Sequence, residues 1–357
     1  MASPRPDYRI CEYAASELDE TPAWLSLKLR LHARILTISV QEARFLNSPA
    51  CLREFRAYVA AVNADLAGAG RDSVDDCFAW AAAPFLPAFA ELAPKPVLAA
   101  SGAAPVVTLA DVLGLPKYEC ALGAVDDRLD PGPITVVAGT EHSEDLVPDN
   151  LPPVSDTSLA FPLSEVELIT EDGCDPYDED PRRVRVRGQE CLFEPTSGFG
   201  DDFAAQLIGT YERLAHAALP PSARVSQLFG VVQDPGHPVA GILLHPIAGG
   251  VSLEDALAAL DALTPEKEAE ARVRWAGQLS STLAALHERG LVWGDAWAGN
   301  VTVDARGDAW IVDFAGGRTD GWVSEELAGT AEGDLEGLGK IVHFINKGEE
   351  PGVGEEE

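Results

Sequence analysis

Positive charge is scarce in this sequence. Against 58 aspartates and glutamates it sets 26 lysines and arginines, a formal net charge of -32 over 357 residues. A field of that sign repels phosphate backbones and anionic headgroups, so nucleic acid and membrane surfaces are not expected partners. Lysine is absent altogether between Lys117 and Lys267. The six cysteines (Cys11, Cys51, Cys77, Cys120, Cys174 and Cys191) form no CxxC pair, and no histidine stands at zinc-finger spacing, which points to reduced thiols. No apolar run reaches the ~20 residues that cross a bilayer, and the opening Met-Ala-Ser-Pro-Arg-Pro carries no apolar signal stretch. The expected location is cytoplasmic or nuclear. What the chain does have is apolar content, 46%, enough for a sizeable core.

The first hundred residues read as helical. Leu25 to Leu31 opens an apolar run that continues through Ile35, Leu36 and Val40. From Ala50 to Leu66, the residues Leu52, Phe55, Tyr58, Val59 and Val62 recur at helical steps. A third helical segment spans Cys77 to Leu92. Residues 125–160 are rich in Pro, Asp and Gly and read as a linker. Strand signals follow at Ser164–Ile169. Val184–Arg187 and Glu190–Phe193 form a predicted hairpin about Gly188-Gln189. A helix is expected over Phe203–Ala217, capped by Asp201-Asp202. Two more strands, Leu228–Val232 and Ala240–Ile247, flank a Pro235-Gly236 turn.

The last part begins with a helix opened by Thr264-Pro265-Glu266. Its apolar face is Val273, Ala276, Leu279, Leu283 and Leu286, and Gly290 closes it. A short apolar strand, Leu291 to Trp293, leads into Gly294-Asp295. A second hairpin, Val301–Asp304 and Ala309–Asp313, turns at Arg306-Gly307-Asp308. A final helix is expected over Leu335–Asn346, before an acidic tail.

Three polar residues stand out against this frame. Asp295 follows the apolar strand, Asn300 comes five residues later, and Asp313 ends the second hairpin before Phe314-Ala315-Gly316. Any one aspartate at a turn serves most often as a cap. In this order, behind a helix ending Leu-His-Glu-Arg-Gly, the three fit phosphoryl transfer. That reaction needs a carboxylate to orient the acceptor hydroxyl, and an Asn and an Asp to hold metal between phosphates.

The stretch from about Leu279 to Phe344 resembles the catalytic segment of protein-kinase-like proteins. It is similar in particular to fungal kinase-like proteins with a Val-Trp-Gly-Asp-x4-Asn-Val loop, which continue with Asp-Phe-x-Gly-Gly, Gly-Trp-Val, Glu-Leu, Gly-Thr-x-Glu-Gly-Asp and Gly-Leu-x-Lys-Ile. The resemblance implies an α+β architecture: a bilobal kinase-like fold with a truncated C-lobe, behind a mainly helical N-terminal region. The implied divisions are 1–124 (helical region), 125–160 (linker), 161–247 (N-lobe), 248–346 (C-lobe) and 347–357 (acidic tail). It also implies Asp295 as catalytic base, aided by Asn300. Asn300 and Asp313 become Mg²⁺ ligands, Leu243, Leu244 and His245 contact the nucleotide at the hinge, and Asp334 anchors the catalytic loop. The implied cofactors are ATP and Mg²⁺, with a protein or small molecule as acceptor.

The small lobe departs from that pattern. By hairpin position Glu194 stands where a kinase places its phosphate-holding lysine, and Gln206 stands where the lysine's partner glutamate would be. No GxGxxG is present, and acidic residues 172–180 occupy its region. Gly294 replaces the arginine of His-Arg-Asp, and Trp293 replaces the histidine. Arg185 or Arg187 is the nearest candidate substitute for the missing cation. Only 41 residues follow Gly316, too few for the helices that dock protein substrates. Three readings remain open on these residues: an atypical phosphotransferase, a pseudokinase serving as a binding module, or a wholly structural protein with a helical N-terminal interaction domain.

Overall fold

The computed structural model describes residues 8–18, 20–66, 74–92, 106–137, 160–170, 174, 176–177, 182–196, 201–234 and 239–349. The chain is α+β and divides into two compact units, Met1–Asp145 with Glu167–Pro181, and Leu146–Val166 with Arg182–Glu357. Among the described residues no helix is long and apolar enough to cross a membrane. Cys51, Cys77, Cys120, Cys174 and Cys191 are free thiols.

The first unit is built on a sheet in the order β1 (Arg9–Ala15), β2 (Trp24–Arg30), β3 (Ile35–Gln41), β4 (Lys117–Val125), β5 (Arg128–Pro131), with β6 (Thr135–Val137) also on β4. This corrects the reading of residues 25–40 as helix. Leu25, Leu27, Leu29 and Leu31 alternate with Ser26, Lys28 and Arg30, a period of two rather than 3.6. Cross-strand pairing sets Leu25 on Val40, Leu27 on Ile38 and Leu29 on Leu36, all six buried. The β-branched Ile35, Thr37, Ile38 and Val40 favour the extended backbone.

Strands β3 and β4 run parallel and so need a crossover. It is supplied by α1 (Pro49–Leu66), α2 (Val74–Ala82), α3 (Leu86–Leu92) and α4 (Leu109–Leu113). The expected α1 is present, and Phe55, Val59 and Val62 face the sheet core. The single segment expected over 77–92 is broken at Pro84 by a 3-10 turn. Part of the expected linker is folded as β5 and β6. Residues 138–159 lie outside the described residues, as do most of 172–181 and the tail from 350.

The chain passes between the units within β8 (Val166–Leu168). In the second unit five strands lie in the order β7 (Ala160–Phe161), β11 (Leu228–Val232), β12 (Gly241–Leu244), β10 (Gln189–Pro195), β9 (Arg183–Val186). The β9–β10 hairpin turns at Arg187-Gly188, where φ is +49 and +82. That is one residue earlier than expected, with the double positive φ that such two-residue turns require. Helix α5 (Asp201–His216) packs beside β11. Then come β13 (Val251–Ser252), α6 (Leu253–Leu260), α7 (Pro265–His287), the β14 (Val301–Val303) and β15 (Ala309–Ile311) hairpin, and α8 (Ala331–Lys347). The Pro235-Gly236 turn lies outside the described residues.

One apolar core runs through this unit, from Leu207 and Tyr211 on α5 through Leu279, Leu283 and Leu286 on α7 to Ile341 and Phe344 on α8. Val273, expected on the buried face of α7, is exposed. Trp275 is buried in its stead and donates its indole N–H to Gly307 O at 3.0 Å.

Candidate functional site

Gly290, at φ +67, ends the turn behind α7. The next residues form no strand, contrary to expectation, because their backbone donors are used elsewhere. The N–H groups of Trp293 and Gly294 both donate to the Asp334 carboxylate at 2.8 Å, and His287 Nε2 lies 2.8 Å from the same group. Asp334 sits in the first turn of α8, which starts at Ala331 rather than Leu335 because the Thr330 side chain caps it through Gly333 N. The carboxylate is buried and spends its lone pairs on the loop, as a buried charge must. Trp293 is buried too, and its indole donates to Val312 O at 3.0 Å, tying the loop to the end of β15.

These ties bring together the three residues singled out by spacing. The Asn300 amide nitrogen donates to Asp295 O at 3.0 Å, which leaves its amide oxygen as the acceptor. Val312 N donates to Asn300 O at 3.0 Å. Asp313 adopts the left-handed conformation, φ +58, and its Oδ1 accepts from Ala315 N at 3.0 Å. Such a φ is uncommon outside glycine, and an Asx-type bond of this kind sustains it. Phe314 is buried edge-on against Tyr211 of α5, ring centroids 5.8 Å apart, and the Tyr211 hydroxyl meets Ser226 Oγ at 2.9 Å. Gly294, at φ +97, lets the two loops close. A Cβ there would lie 3.3 Å from the Gly316 Cα.

The electrostatics are those of an acidic cluster. Burial raises the Asp295 carboxyl above its ordinary value, and the charge of Asp313 adds to the rise. The Glu194 carboxyl on β10 is pushed up to about 7, chiefly by burial and then by Asp313, against the pull of Arg182. Glu194 therefore stands within the field of Asp313. Gln206 on α5 also reaches this turn, with its amide nitrogen 3.2 Å from where a Cβ on Gly316 would sit. Arg185 and Arg187 do not join the group. Arg185 pairs with Glu190 at 3.5 Å and Arg187 with Glu165 at 3.1 Å, all with exposed side chains.

Leu243 and Leu244 are buried on β12, which pairs with β10 so that Ile242 faces Glu194. His245 follows, its N–H bonded to Gln227 O and its ring edge-on to Phe229. Among the described residues no hydrogen bond, ion pair or ring contact joins these three to Asp295 or Asp313. No group of three or more His, Cys, Asp or Glu is placed to hold a metal there either. Asn300 Oδ1 and the Asp313 carboxylate are hard oxygens of the kind that Mg²⁺ takes.

One contact was not foreseen from the sequence. Thr319 donates twice to the Asp295 carboxylate, from its N–H to Oδ1 at 2.9 Å and from its hydroxyl to Oδ2 at 3.1 Å. No motif announces it. His287 was visible within the Leu-His-Glu-Arg-Gly motif, but its partner Asp334 lies 47 positions away.

No known family model matches this chain, and no curated protein matches it.

Proposed function

We propose that the second unit is a protein-kinase-like domain and an ATP- and Mg²⁺-dependent phosphotransferase acting on an alcohol. The observation that carries this reading is the meeting of Asp295, Asn300 and Asp313 on two loops, the first held by the buried Asp334 carboxylate and the second tied to it through the Trp293 indole. Asp295 orients the acceptor hydroxyl and takes its proton. Asn300 and Asp313 would hold Mg²⁺ through side-chain oxygens, and the ion when bound neutralises phosphate charge. Leu243, Leu244 and His245 form the strand end against which the nucleotide base packs.

A second reading, a pseudokinase that binds without turnover, is favoured by Glu194 and Gln206. A carboxylate in the place of a lysine withdraws phosphate positioning of the kind that contributes several kcal/mol to catalysis.

Thermal shift with ATP, with and without Mg²⁺, tests both. A Mg²⁺-dependent rise in melting temperature, lost in Asp313→Ala, is the expected result. No shift at about millimolar ATP and Mg²⁺ sinks the enzyme reading. A shift without phosphotransfer to any acceptor selects the pseudokinase.

A further inference from the structure

The hydroxyl of Thr319 occupies the place an acceptor alcohol must take. Phosphoryl transfer asks for an oxygen within hydrogen-bond reach of a carboxylate base, beside the metal ligands. Thr319 Oγ1 donates to Asp295 Oδ2 at 3.1 Å, and no other hydroxyl is bonded to that carboxylate among the described residues. The Thr319 N–H holds the second carboxylate oxygen at 2.9 Å, so backbone and side chain fix the residue together.

The chain is built to make this return. Gly316 and Gly317, at φ +76 and +128, conformations that side-chain-bearing residues rarely adopt, turn the segment onto the loop that carries Asp295. A Cβ on Gly317 would stand 3.6 Å from Asp295 Oδ2, so the turn passes directly over the base. Thr319 thus arrives six residues after Asp313, tethered where an external alcohol would have to diffuse. Intramolecular placement of this kind replaces a bimolecular encounter with a local one.

We propose that Thr319 is itself the phosphoryl acceptor, modified in cis by ATP. This rests on the phosphotransferase reading above. In the step, the Thr319 Oγ1–P bond forms while the bond between the γ-phosphorus and the β,γ-bridging oxygen breaks. The hydroxyl proton passes to Asp295 Oδ2, and ADP leaves with the bridging oxygen. One phosphoryl group enters each chain and the reaction then stops, because the acceptor is consumed.

The test is incubation of the full chain with Mg²⁺ and γ-labelled ATP, with the phosphate located by peptide mass spectrometry and nucleotide binding followed separately by thermal shift. Expected is label on Thr319, at most one group per chain, with a first-order rate independent of protein concentration. Thr319→Val loses the label and keeps the thermal shift. Thr319→Ser regains label on the serine, which excludes misfolding as the cause. Asp295→Asn slows incorporation about a hundredfold or more while nucleotide still binds. Label elsewhere, a rate that rises with protein concentration, or bound nucleotide with Thr319 unmodified overturns this inference alone. Absence of any Mg²⁺-dependent nucleotide binding overturns the phosphotransferase reading and this inference with it.

Discussion

Glu194 shows how one side chain couples the site to stability. Its carboxyl titrates near 7 in the folded chain, against an ordinary 4.5, mainly because burial disfavours the charge. A carboxyl whose value rises on folding favours the native state while protonated. That contribution is whole below pH 4.5 and is lost as pH climbs through about 7. Glu194→Gln keeps the shape and removes the charge. We expect it to stabilise the chain by roughly 2 kcal/mol at about pH 8, with little effect at about pH 4. Denaturant titrations at the two pH values check this, and an equal difference at both would show that the burial of charge is not the cause. Glu194 was placed by counting along a hairpin. The direction of its titration could not be, because burial and the neighbourhood of Asp313 come from tertiary packing.

Among the elements, α8 does the most to shape the site. Its first turn supplies Asp334 to the loop, and Gly337, one turn on, lets the helix approach so closely that a Cβ would meet Ala296 O at 2.1 Å. Gly337→Ala must push helix and loop apart. A loss of about 1 to 3 kcal/mol is expected, as for other overpacked contacts, and on the proposed phosphotransferase reading a weakened Mg²⁺-dependent shift with ATP. Melting curves with and without ligand measure both, and a variant with wild-type stability would refute the close approach.

Elements of this unit were largely legible because their signals are local. The β9–β10 hairpin announces itself through alternation and a glycine turn, and α7 through Pro265 and a stripe of leucines. The hairpin β2–β3 was misread although its signal was local too: Leu25, Leu27, Leu29 and Leu31 alternate with Ser26, Lys28 and Arg30, the period of two that marks a strand. The segment 291–295 was misread for a different reason. Its apolar residues satisfy a strand pattern, but its N–H groups belong to a carboxylate forty residues away. Thr319 was invisible for the same reason, since it reaches Asp295 only through the turn at Gly316-Gly317.

At the scale of the whole molecule, each unit carries its own buried cluster. Calorimetry is expected to show two transitions. Leu27→Ala, in the core of the first unit, should lower one of them, and Leu283→Ala, in the second, should lower the other, each by about 2–5 kcal/mol. If both substitutions shift a single common transition, the two units do not unfold as separate cooperative blocks. On the phosphotransferase reading proposed above, a Mg²⁺-dependent effect of ATP is expected on the transition lowered by Leu283→Ala.

The parallel pairing of β3 with β4 also sets a timetable. Gln41 closes β3 and Lys117 opens β4, so a growing chain completes one edge of the sheet long before its neighbour exists. At ~5–20 residues per second, the wait lasts several seconds, with the outer edge of β3 unfilled. Long-range pairings of this kind slow folding and leave strand edges open to other chains. Newly made chains of this protein are therefore most vulnerable to aggregation in the interval before Lys117 leaves the ribosome.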